Sequence, residues 1–281
     1  MSLLDLYATK GPLIMGVVNV TPDSFSDGGR YLGFEAALTH AQQLIEDGAD
    51  VLDIGGESTR PGAQPVTLEE EINRVVPLIQ ALSGLTDTPL SVDTFKPEVA
   101  EEAFKAGATV WNDVSALSHS SQSLETAATL NGDIILMHMK GEPRTMQSNP
   151  WYEDVVGEVE SYLLERAAAA VRAGVAPGRL WLDPGIGFGK CLDHNLDLIR
   201  HTARLSGRGF PTVMAASRKR FIAALEEREG GAPSSPDDRL GATIAVHLHA
   251  IANGAKMVRV HDVQAMKQAL RIVHALGSVP D

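Results

Sequence analysis

Eight short apolar runs recur along the chain, and a polar residue stands at the end of nearly every one. The runs are almost continuously apolar, which is typical of parallel strands covered on both faces. Segments with helical periodicity fill the intervals, and a glycine often follows the helix before the next run begins. The predicted strands are Leu13–Val20, Val51–Gly55, Pro89–Asp93, Thr109–Val114, Asp133–Met139, Leu180–Asp183, Thr212–Ser217 and Lys256–His261.

Strands and helices that alternate, with no linker-like segment between them, favour an α/β fold. Eight such strands predict a single (β/α)8 TIM barrel that spans residues 1–281 as one domain. A doubly wound sheet is the alternative, since it shows the same alternation but usually has fewer strands. The clearest helical patterns cover Phe34–Asp47, Leu68–Ser83, Pro97–Lys105, Tyr152–Ala173 and Arg239–Asn253.

The polar ends of the strands predict a functional site. In a parallel barrel the carboxyl ends of all strands open at one mouth, so their terminal side chains are expected to converge there. The strand-end residues are Asn19, Asp53, Asp93, Asn112, Asp113, His138, Asp183, Ser217, Arg259 and His261.

Composition narrows the class of partner. The 281 residues include 24 lysines and arginines against 36 aspartates and glutamates, and the resulting net charge of −12 argues against a nucleic acid or an anionic membrane as partner. The single cysteine, Cys191, excludes an internal disulfide and a cysteine-based metal cluster. We see neither a secretory leader nor a membrane-length apolar run, so we expect a soluble, cytoplasmic protein.

Two basic clusters, Ser217–Arg220 and Arg259–Asp262, follow the seventh and eighth predicted strands. Anionic groups often bind at the loops after these two strands of a barrel. A basic run is usually a solvated face, but its position at a strand end of an acidic chain favours a substrate that carries phosphate. Arg60 in the long loop Glu57–Thr67 offers a planar fork for the same group, although a lone loop arginine is usually solvated.

The acids and amides at other strand ends, Asp93, Asn112, Asp113 and Asp183, suggest a second kind of contact. Any one of them alone is as easily a helix cap. Together they match the donor edge of a flat, nitrogen-rich ring, because a carboxylate accepts two parallel hydrogen bonds from such an edge. Asn19 ends the first strand, where its amide oxygen suits Mg²⁺.

The glycine-rich segment Gly185–Lys190 resembles a phosphate-binding loop only superficially. Pro184 stands where the Walker pattern has its first glycine, and Cys191 replaces the required serine or threonine. We therefore expect a flexible loop that carries Phe188 and Lys190 to the mouth. No histidine or carboxylate cluster in the sequence has transition-metal spacing.

Seven segments in order along the chain carry a family resemblance. They are Asn19–Gly29 (NVTPDSFSDGG), Asp53–Gly62 (DIGGESTRPG), Ser91–Thr94 (SVDT), Asn112-Asp113, Asp183–Lys190 (DPGIGFGK), Ser217–Lys219 (SRK) and Arg259–Asp262 (RVHD). The segments closely resemble the motifs of the dihydropteroate synthase family, and they span nearly the whole chain. The resemblance implies condensation of 6-hydroxymethyl-7,8-dihydropterin pyrophosphate with p-aminobenzoate, with Mg²⁺ assisting the pyrophosphate and a homodimer as the assembly.

The same resemblance divides the site into three parts and assigns residues to each. The pyrophosphate part comprises Asn19, which also corresponds to the metal position, Arg60, Arg259 and His261. The pterin part comprises Asp93, Asn112, Met139, Asp183 and Lys219. The p-aminobenzoate part comprises Thr59, Pro61 and Phe188, with Arg220 beside them. The catalytic residues it implies are Asp93, Lys219, Arg259 and His261.

Arg220 is a departure from the family pattern, which commonly has serine after the lysine, near the p-aminobenzoate carboxylate. An arginine there either strengthens carboxylate binding or points outward. Two related functions remain as alternatives: a pterin-binding methyltransferase domain and a pterin-binding module without turnover. A Schiff-base aldolase that uses Lys219 is weaker, because Lys219 lies beyond the strand end and adjoins two arginines.

Overall fold

Eight parallel strands form the centre of the protein. The computed structural model describes residues 1–20, 29–58, 64–142 and 145–277. The strands are β1 (Leu13–Asn19), β2 (Val51–Gly55), β3 (Leu90–Asp93), β4 (Val110–Asp113), β5 (Asp133–Met137), β6 (Leu180–Asp183), β7 (Val213–Met214) and β8 (Met257–Val260). They lie in the order β6-β5-β4-β3-β2-β1-β8-β7, and a parallel bridge between Leu182 and Thr212 joins β6 to the start of β7. The sheet closes in this way, which confirms the predicted (β/α)8 barrel.

Helices connect the strands and surround the barrel. They are α1 (Leu3–Lys10), α2 (Gly29–Glu46), α3 (Leu68–Ser83), α4 (Pro97–Ala106), α5 (Ser123–Thr129), α6 (Val155–Ala173), α7 (Leu192–Arg200), α8 (Thr202–Ser206), α9 (Arg220–Arg228), α10 (Leu240–Ala252) and α11 (Val263–Ala275). Short 3-10 turns precede β6 and α10. Within the described ranges, no helix is long and apolar enough to cross a membrane.

Helix α3 shows how local sequence sets these elements. The Thr67 hydroxyl accepts a hydrogen bond from the Glu70 N–H at 3.2 Å, and three glutamates occupy the first turn, where the helix dipole favours negative charge. Buried apolar residues follow at three- and four-residue spacing from Val75 to Leu82. The predicted helix Leu68–Ser83 is therefore confirmed at both ends.

Side chains along each strand alternate between the barrel interior and the surrounding helices. The inward residues of the lower layers form one apolar cluster inside the barrel: Leu13, Met15, Val51, Val110, Ile135, Trp181, Val213 and Met257. The outward residues, such as Ile14, Leu52 and Val92, pack with the helices in a larger cluster. This parity decides which strand-end side chains reach the mouth.

Helix α1, which the sequence patterns did not predict, covers the amino-terminal end of the barrel. Leu3 and Leu6 join the interior cluster, and the Leu3 N–H donates to Asp133 Oδ2 at 2.9 Å. Ser2 and Asp5 cap the helix reciprocally. With this end covered, the carboxyl ends of the strands are where a ligand can enter.

Candidate active site

Arg259 on β8 lies between two carboxylates at the mouth. Its Nε donates to Asp53 Oδ2 at 2.6 Å, and its Nη2 donates to Asp93 Oδ2 at 2.8 Å. Asn112 Nδ2 donates to the same Asp53 oxygen at 3.0 Å. The structure thus brings together Asp93, Asn112 and Arg259, three predicted site residues from three different strands. They surround Asp53, which the sequence placed among the strand ends at the mouth without a specific role.

Burial makes this cluster sensitive to protonation. Burial and the neighbouring Asp53 raise the pKa of Asp93 to about 7, although Arg259 opposes the rise. Burial alone lowers the pKa of Arg259, but Asp53 and Asp93 more than reverse this and raise it, so the guanidinium stays charged. Asp93 is therefore a mouth carboxylate whose charge changes near neutral pH.

Asp183 and Lys219 form the opposite side of the mouth. Asp183 Oδ1 accepts a hydrogen bond from the Gly185 N–H at 2.7 Å, and Lys219 Nζ donates to the Ile186 carbonyl. Burial raises the pKa of Asp183, with Lys219 opposing. Burial lowers the pKa of Lys219 to about 8, with Asp183 opposing. A carboxylate and an ammonium that influence each other's charge therefore lie on this side of the mouth.

The loop after β6 has a fixed course between neighbouring chain segments. A Cβ at Gly185 would lie 1.9 Å from the His138 carbonyl oxygen, and one at Gly189 would lie 2.2 Å from the Lys140 carbonyl oxygen. Both glycines also have positive φ, 68° and 65°. The loop places the Phe188 ring 4.5 Å from Lys219 Nζ, as a cation–π pair.

The expectation that this loop brings Lys190 to the mouth is wrong. Lys190 is 2% exposed, and its Nζ lies 2.9 Å from His138 Nδ1 and within hydrogen-bond distance of the His138 and Phe188 carbonyls. His138 also turns away from the mouth and packs edge-on against Tyr162 of α6 at 5.0 Å. Burial, with Lys190 beside it, lowers the pKa of His138 to about 3.

Asp113 is the second correction. It follows the inward-facing Asn112 and so lies on the outer face of β4, where it is fully buried. Its two oxygens accept hydrogen bonds from the Ser115 and Leu117 N–H groups at 2.7 and 2.8 Å. Asp113 therefore shapes the turn after β4 and does not face a ligand.

The two basic clusters lie side by side, but their charged side chains have different partners. Ser217 Oγ lies 3.0 Å from His261 Nδ1 and accepts from the His261 N–H at 3.2 Å. Arg218 pairs with Asp262 at 3.0 and 2.6 Å, and with Asp237 at 2.7 Å. Arg220 is exposed at the first position of α9. Among the described residues of these two clusters, Lys219 and Arg259 lie at the mouth, whereas Arg218 is paired with Asp262 and Asp237.

The remaining predicted residues lie around this mouth or outside the described residues. Asn19 is the last residue of β1 and pairs with Gly55, and Met139 lies partly buried two residues beyond β5. Thr59, Arg60 and Pro61 lie outside the residues that the structure describes.

Within the described ranges, no three histidine, cysteine, aspartate or glutamate side chains group to hold a metal. Asn19 alone offers one amide oxygen at the open end of β1. That donor set fits Mg²⁺ as it is bound with substrate phosphates and water, and it does not fit a metal caged by protein ligands alone.

Comparisons with known proteins agree with this geometry. The family of pterin binding enzymes matches residues 15–261. A dihydropteroate synthase of Neisseria meningitidis serogroup B is 47% identical over 271 residues, 95% of this chain and 93% of the relative. One of Escherichia coli K12 is 44% identical over 270 residues, 96% of this chain and 93% of the relative.

Solved structures with bound small molecules are also similar. A Xanthomonas albilineans dihydropteroate synthase with 4-aminobenzoic acid has a TM-score of 0.88 and 48% identity, over 96% of this chain and 95% of that one. The same organism's enzyme in complex with 7,8-dihydropteroate has a TM-score of 0.85 and 45% identity, with the same coverage.

Proposed function

The chain belongs to the pterin-binding enzymes and, among them, to the dihydropteroate synthases, and we propose from this premise how its barrel mouth performs the transfer. The enzyme condenses 6-hydroxymethyl-7,8-dihydropterin pyrophosphate with p-aminobenzoate, giving 7,8-dihydropteroate and pyrophosphate. The observation that supports the mechanism most directly is Arg259, held between Asp53 and Asp93 at the open end of the barrel.

The pterin lies among the acids and the amide of the inner strand ends. Asp93, Asn112 and Asp183 accept and donate along its nitrogen-rich edge, because these side chains converge from β3, β4 and β6. Lys219 lies against Phe188 and near Asp183, where it donates to the pterin carbonyl. Met139 packs against the ring face at the rim of the pocket.

The pyrophosphate lies at the β1 and β8 side of the mouth. Arg259 and His261 are two residues apart on one inward face, so both point toward the same group. Arg60 adds a further cation from the second loop. Asn19 and the phosphate oxygens would hold Mg²⁺, which neutralises the leaving group when bound.

The chemical step breaks the bond between the pterin methylene carbon and the pyrophosphate oxygen. The electron pair leaves with pyrophosphate, whose charge Arg259 and His261 stabilise. The ionised Asp93 stabilises the cation that develops on the pterin methylene. The aniline nitrogen of p-aminobenzoate then attacks this carbon and releases one proton to water, so no side chain has to act as a general base. Positioning and charge stabilisation supply the acceleration, with the pterin bound first.

The p-aminobenzoate binds where Phe188 and Lys219 border the start of α9. Its ring lies against Phe188, and the family resemblance assigns Thr59 and Pro61, which lie outside the described residues, to the same part of the site. Its carboxylate faces the amino-terminal turn of α9, where the helix dipole and the Arg220 guanidinium favour an anion.

The assembly we propose is a homodimer formed through α10 and α11. Three large apolar side chains are exposed in this region: Leu240 at the start of α10 by 37%, Ile272 on α11 by 60% and Leu276 just after α11 by 73%. Exposed apolar side chains on the last two helices favour a surface that a second subunit covers. We also propose a cytoplasmic location, where a lone exposed thiol such as Cys191 stays reduced.

One assay tests the function. The protein is incubated with the pterin pyrophosphate, Mg²⁺ and p-aminobenzoate, and pyrophosphate release and 7,8-dihydropteroate are measured together. We expect both to appear in equal amounts and to depend on p-aminobenzoate. Pyrophosphate release without dihydropteroate, or neither product, would overturn the proposal.

A further inference from the structure

The backbone ladder between β7 and β8 has only two residue pairs, yet side chains extend it. The backbone ladder joins only Val213 to Met257 and Met214 to Val258, an offset of 44 residues. Beyond it, Ser217 contacts His261 and Arg218 contacts Asp262, again with an offset of 44. Side-chain bonds therefore continue the register of the ladder after its backbone bonds have ended.

Every polar group of Arg218, in the backbone and in the side chain, has a hydrogen-bond partner. Its N–H donates to Thr243 Oγ1 at 3.1 Å, and its carbonyl accepts from Arg239 Nη1 at 2.8 Å. Its guanidinium binds both oxygens of Asp262. Its φ of 58° lies in the left-handed region, which residues with a Cβ rarely adopt unless their surroundings enforce it.

These contacts lie beside two residues of the proposed mechanism. Lys219 follows Arg218 directly, and His261 precedes Asp262. The left-handed turn at Arg218 redirects the chain, and Lys219 Nζ reaches the Ile186 carbonyl in the neighbouring loop after β6. We propose that Ser217, Arg218 and Asp262 form a clamp that positions Lys219 and His261 for the pterin pyrophosphate, and that Arg218 is not itself a phosphate ligand. The inference rests on the proposed function of the mouth.

A direct phosphate contact by Arg218 is the competing explanation. A substitution at Asp262 distinguishes the two explanations. If Arg218 bound phosphate, Asp262→Asn would free its guanidinium and remove a nearby negative charge, so the substrate would bind more tightly. If the clamp positions its neighbours, Asp262→Asn weakens binding as Arg218→Met does. Asn preserves the shape of Asp262 and also suits its position at the start of α11.

The experiment is a double-mutant cycle on KM for the pterin pyrophosphate, with Arg218→Met, Asp262→Asn and the double variant. We expect each single change to raise this KM about tenfold, because small displacements of substrate-holding groups are costly. The double variant should be no worse than either single one, since both break the same pair. The KM for p-aminobenzoate should rise less than the KM for the pterin pyrophosphate, because Lys219 and His261 both hold the first substrate whereas Lys219 only borders the site of the second.

A surface pair provides the matched control. Arg228 of α9 binds Asp193 of α7 at 2.6 Å, and both side chains are at least half exposed. Arg228→Met and Asp193→Asn remove the same kinds of charge and should leave both KM values unchanged. A partly unfolded preparation lowers kcat without raising either KM, so misfolding is distinguishable from misplacement.

Each outcome of these measurements either supports the clamp or overturns it. An unchanged or lowered KM in Asp262→Asn, or additive effects in the double variant, would overturn the clamp. If Arg218→Met does not fold, Asp262→Asn alone decides, because it leaves the pairing of Arg218 with Asp237 in place. A wild-type protein that forms no dihydropteroate would instead refute the proposed function, and the two failures are therefore distinct.

Discussion

Two buried aspartates, one just before strand β2 and one within it, lie toward opposite ends of the barrel. Their carboxylates have very different hydrogen-bond partners. At the lower end, Asp50 receives Lys10 Nζ at 2.9 Å on one oxygen and the Ile14 N–H at 3.0 Å on the other. At the mouth, Asp53 receives both Arg259 and Asn112 on a single oxygen. Its second oxygen has no hydrogen-bond partner among the described residues.

The difference shows how one barrel separates stability from reactivity. Both oxygens of Asp50 accept a hydrogen bond, and the ammonium groups of Lys10 and Lys267 lie 2.9 and 3.8 Å from them, so this carboxylate is satisfied and ties down the covered end. The hydrogen bonds of Asp53 join β2 to β4 and β8 but fall on one oxygen. The mouth therefore keeps a buried carboxylate oxygen that the described residues do not satisfy, which suits it to binding a polar ligand.

The sharpest test of this contrast pairs Asp93→Asn with Asp50→Asn. Asp93→Asn should lower kcat about 10³-fold, because it removes the charge that stabilises the pterin cation. Its stability should change by less than about 1 kcal/mol, since the ionised form of Asp93 is already disfavoured by burial and by Asp53.

Asp50→Asn should do the reverse. It loses the ion pairs with Lys10 and Lys267 at the covered end and should cost about 1–2 kcal/mol of unfolding free energy, while kcat stays within about twofold. Both quantities come from steady-state assays and urea titrations of the two variants. Equal losses of activity in both would contradict the division between the two ends.

Arg259→Met should lower both stability and activity, because it destabilises the mouth and also abolishes pyrophosphate binding. It leaves Asp53 and Asp93 buried without their cation, at a cost of about 3 kcal/mol. The pKa of Asp93 then rises further, so the folded state binds more protons than the unfolded one. The variant should therefore regain stability as pH falls from 8 to 6, whereas added Asp53→Asn should restore part of it at pH 8. A pH-independent loss in urea titrations would argue against trapped carboxylates.

The pH profile of the wild-type enzyme sharpens the contrast further. Asp93, with its pKa raised to about 7, must be ionised, and Lys219, with its pKa lowered to about 8, must be protonated. The kcat/KM for the pterin pyrophosphate should rise through pH 7 and fall through pH 8, about tenfold per unit on each side. Asp93→Asn should remove the acidic limb alone. An unchanged acidic limb in that variant would assign it to another group.

The sequence patterns identified the strands well, because near-continuous apolar runs are the direct consequence of burial on both faces. β2 and β6 have the predicted bounds, Val51–Gly55 and Leu180–Asp183. The seventh strand was predicted as Thr212–Ser217 but extends only over Val213–Met214, with Thr212 forming a single bridge to Leu182. An apolar run in the sequence does not show where the backbone hydrogen bonds between two strands end and side-chain hydrogen bonds begin.

Site residues could be predicted where the alternation of inward and outward side chains along a strand agreed with the family resemblance. Asp113 and His138 were misplaced because each stands one position beyond an inward residue, and a strict count of alternation would have found this. Asp53 lacked a role because its partners, Asn112 and Arg259, are remote in sequence. Helix α1 was missed because eight residues carry too weak a periodicity.

The smallest expected effect concerns the arginine that departs from the family pattern. Arg220 is exposed at the start of α9, so its attraction for the p-aminobenzoate carboxylate is weakened by solvent and salt. Arg220→Ser should raise the KM for p-aminobenzoate about threefold at low ionic strength and less at high salt, with kcat unchanged. Arg172→Ser removes the same exposed charge from the last turn of α6, at the covered end, and should change nothing. Equal KM values in all three proteins would show that Arg220 points away from the substrate and that the helix terminus alone receives the carboxylate.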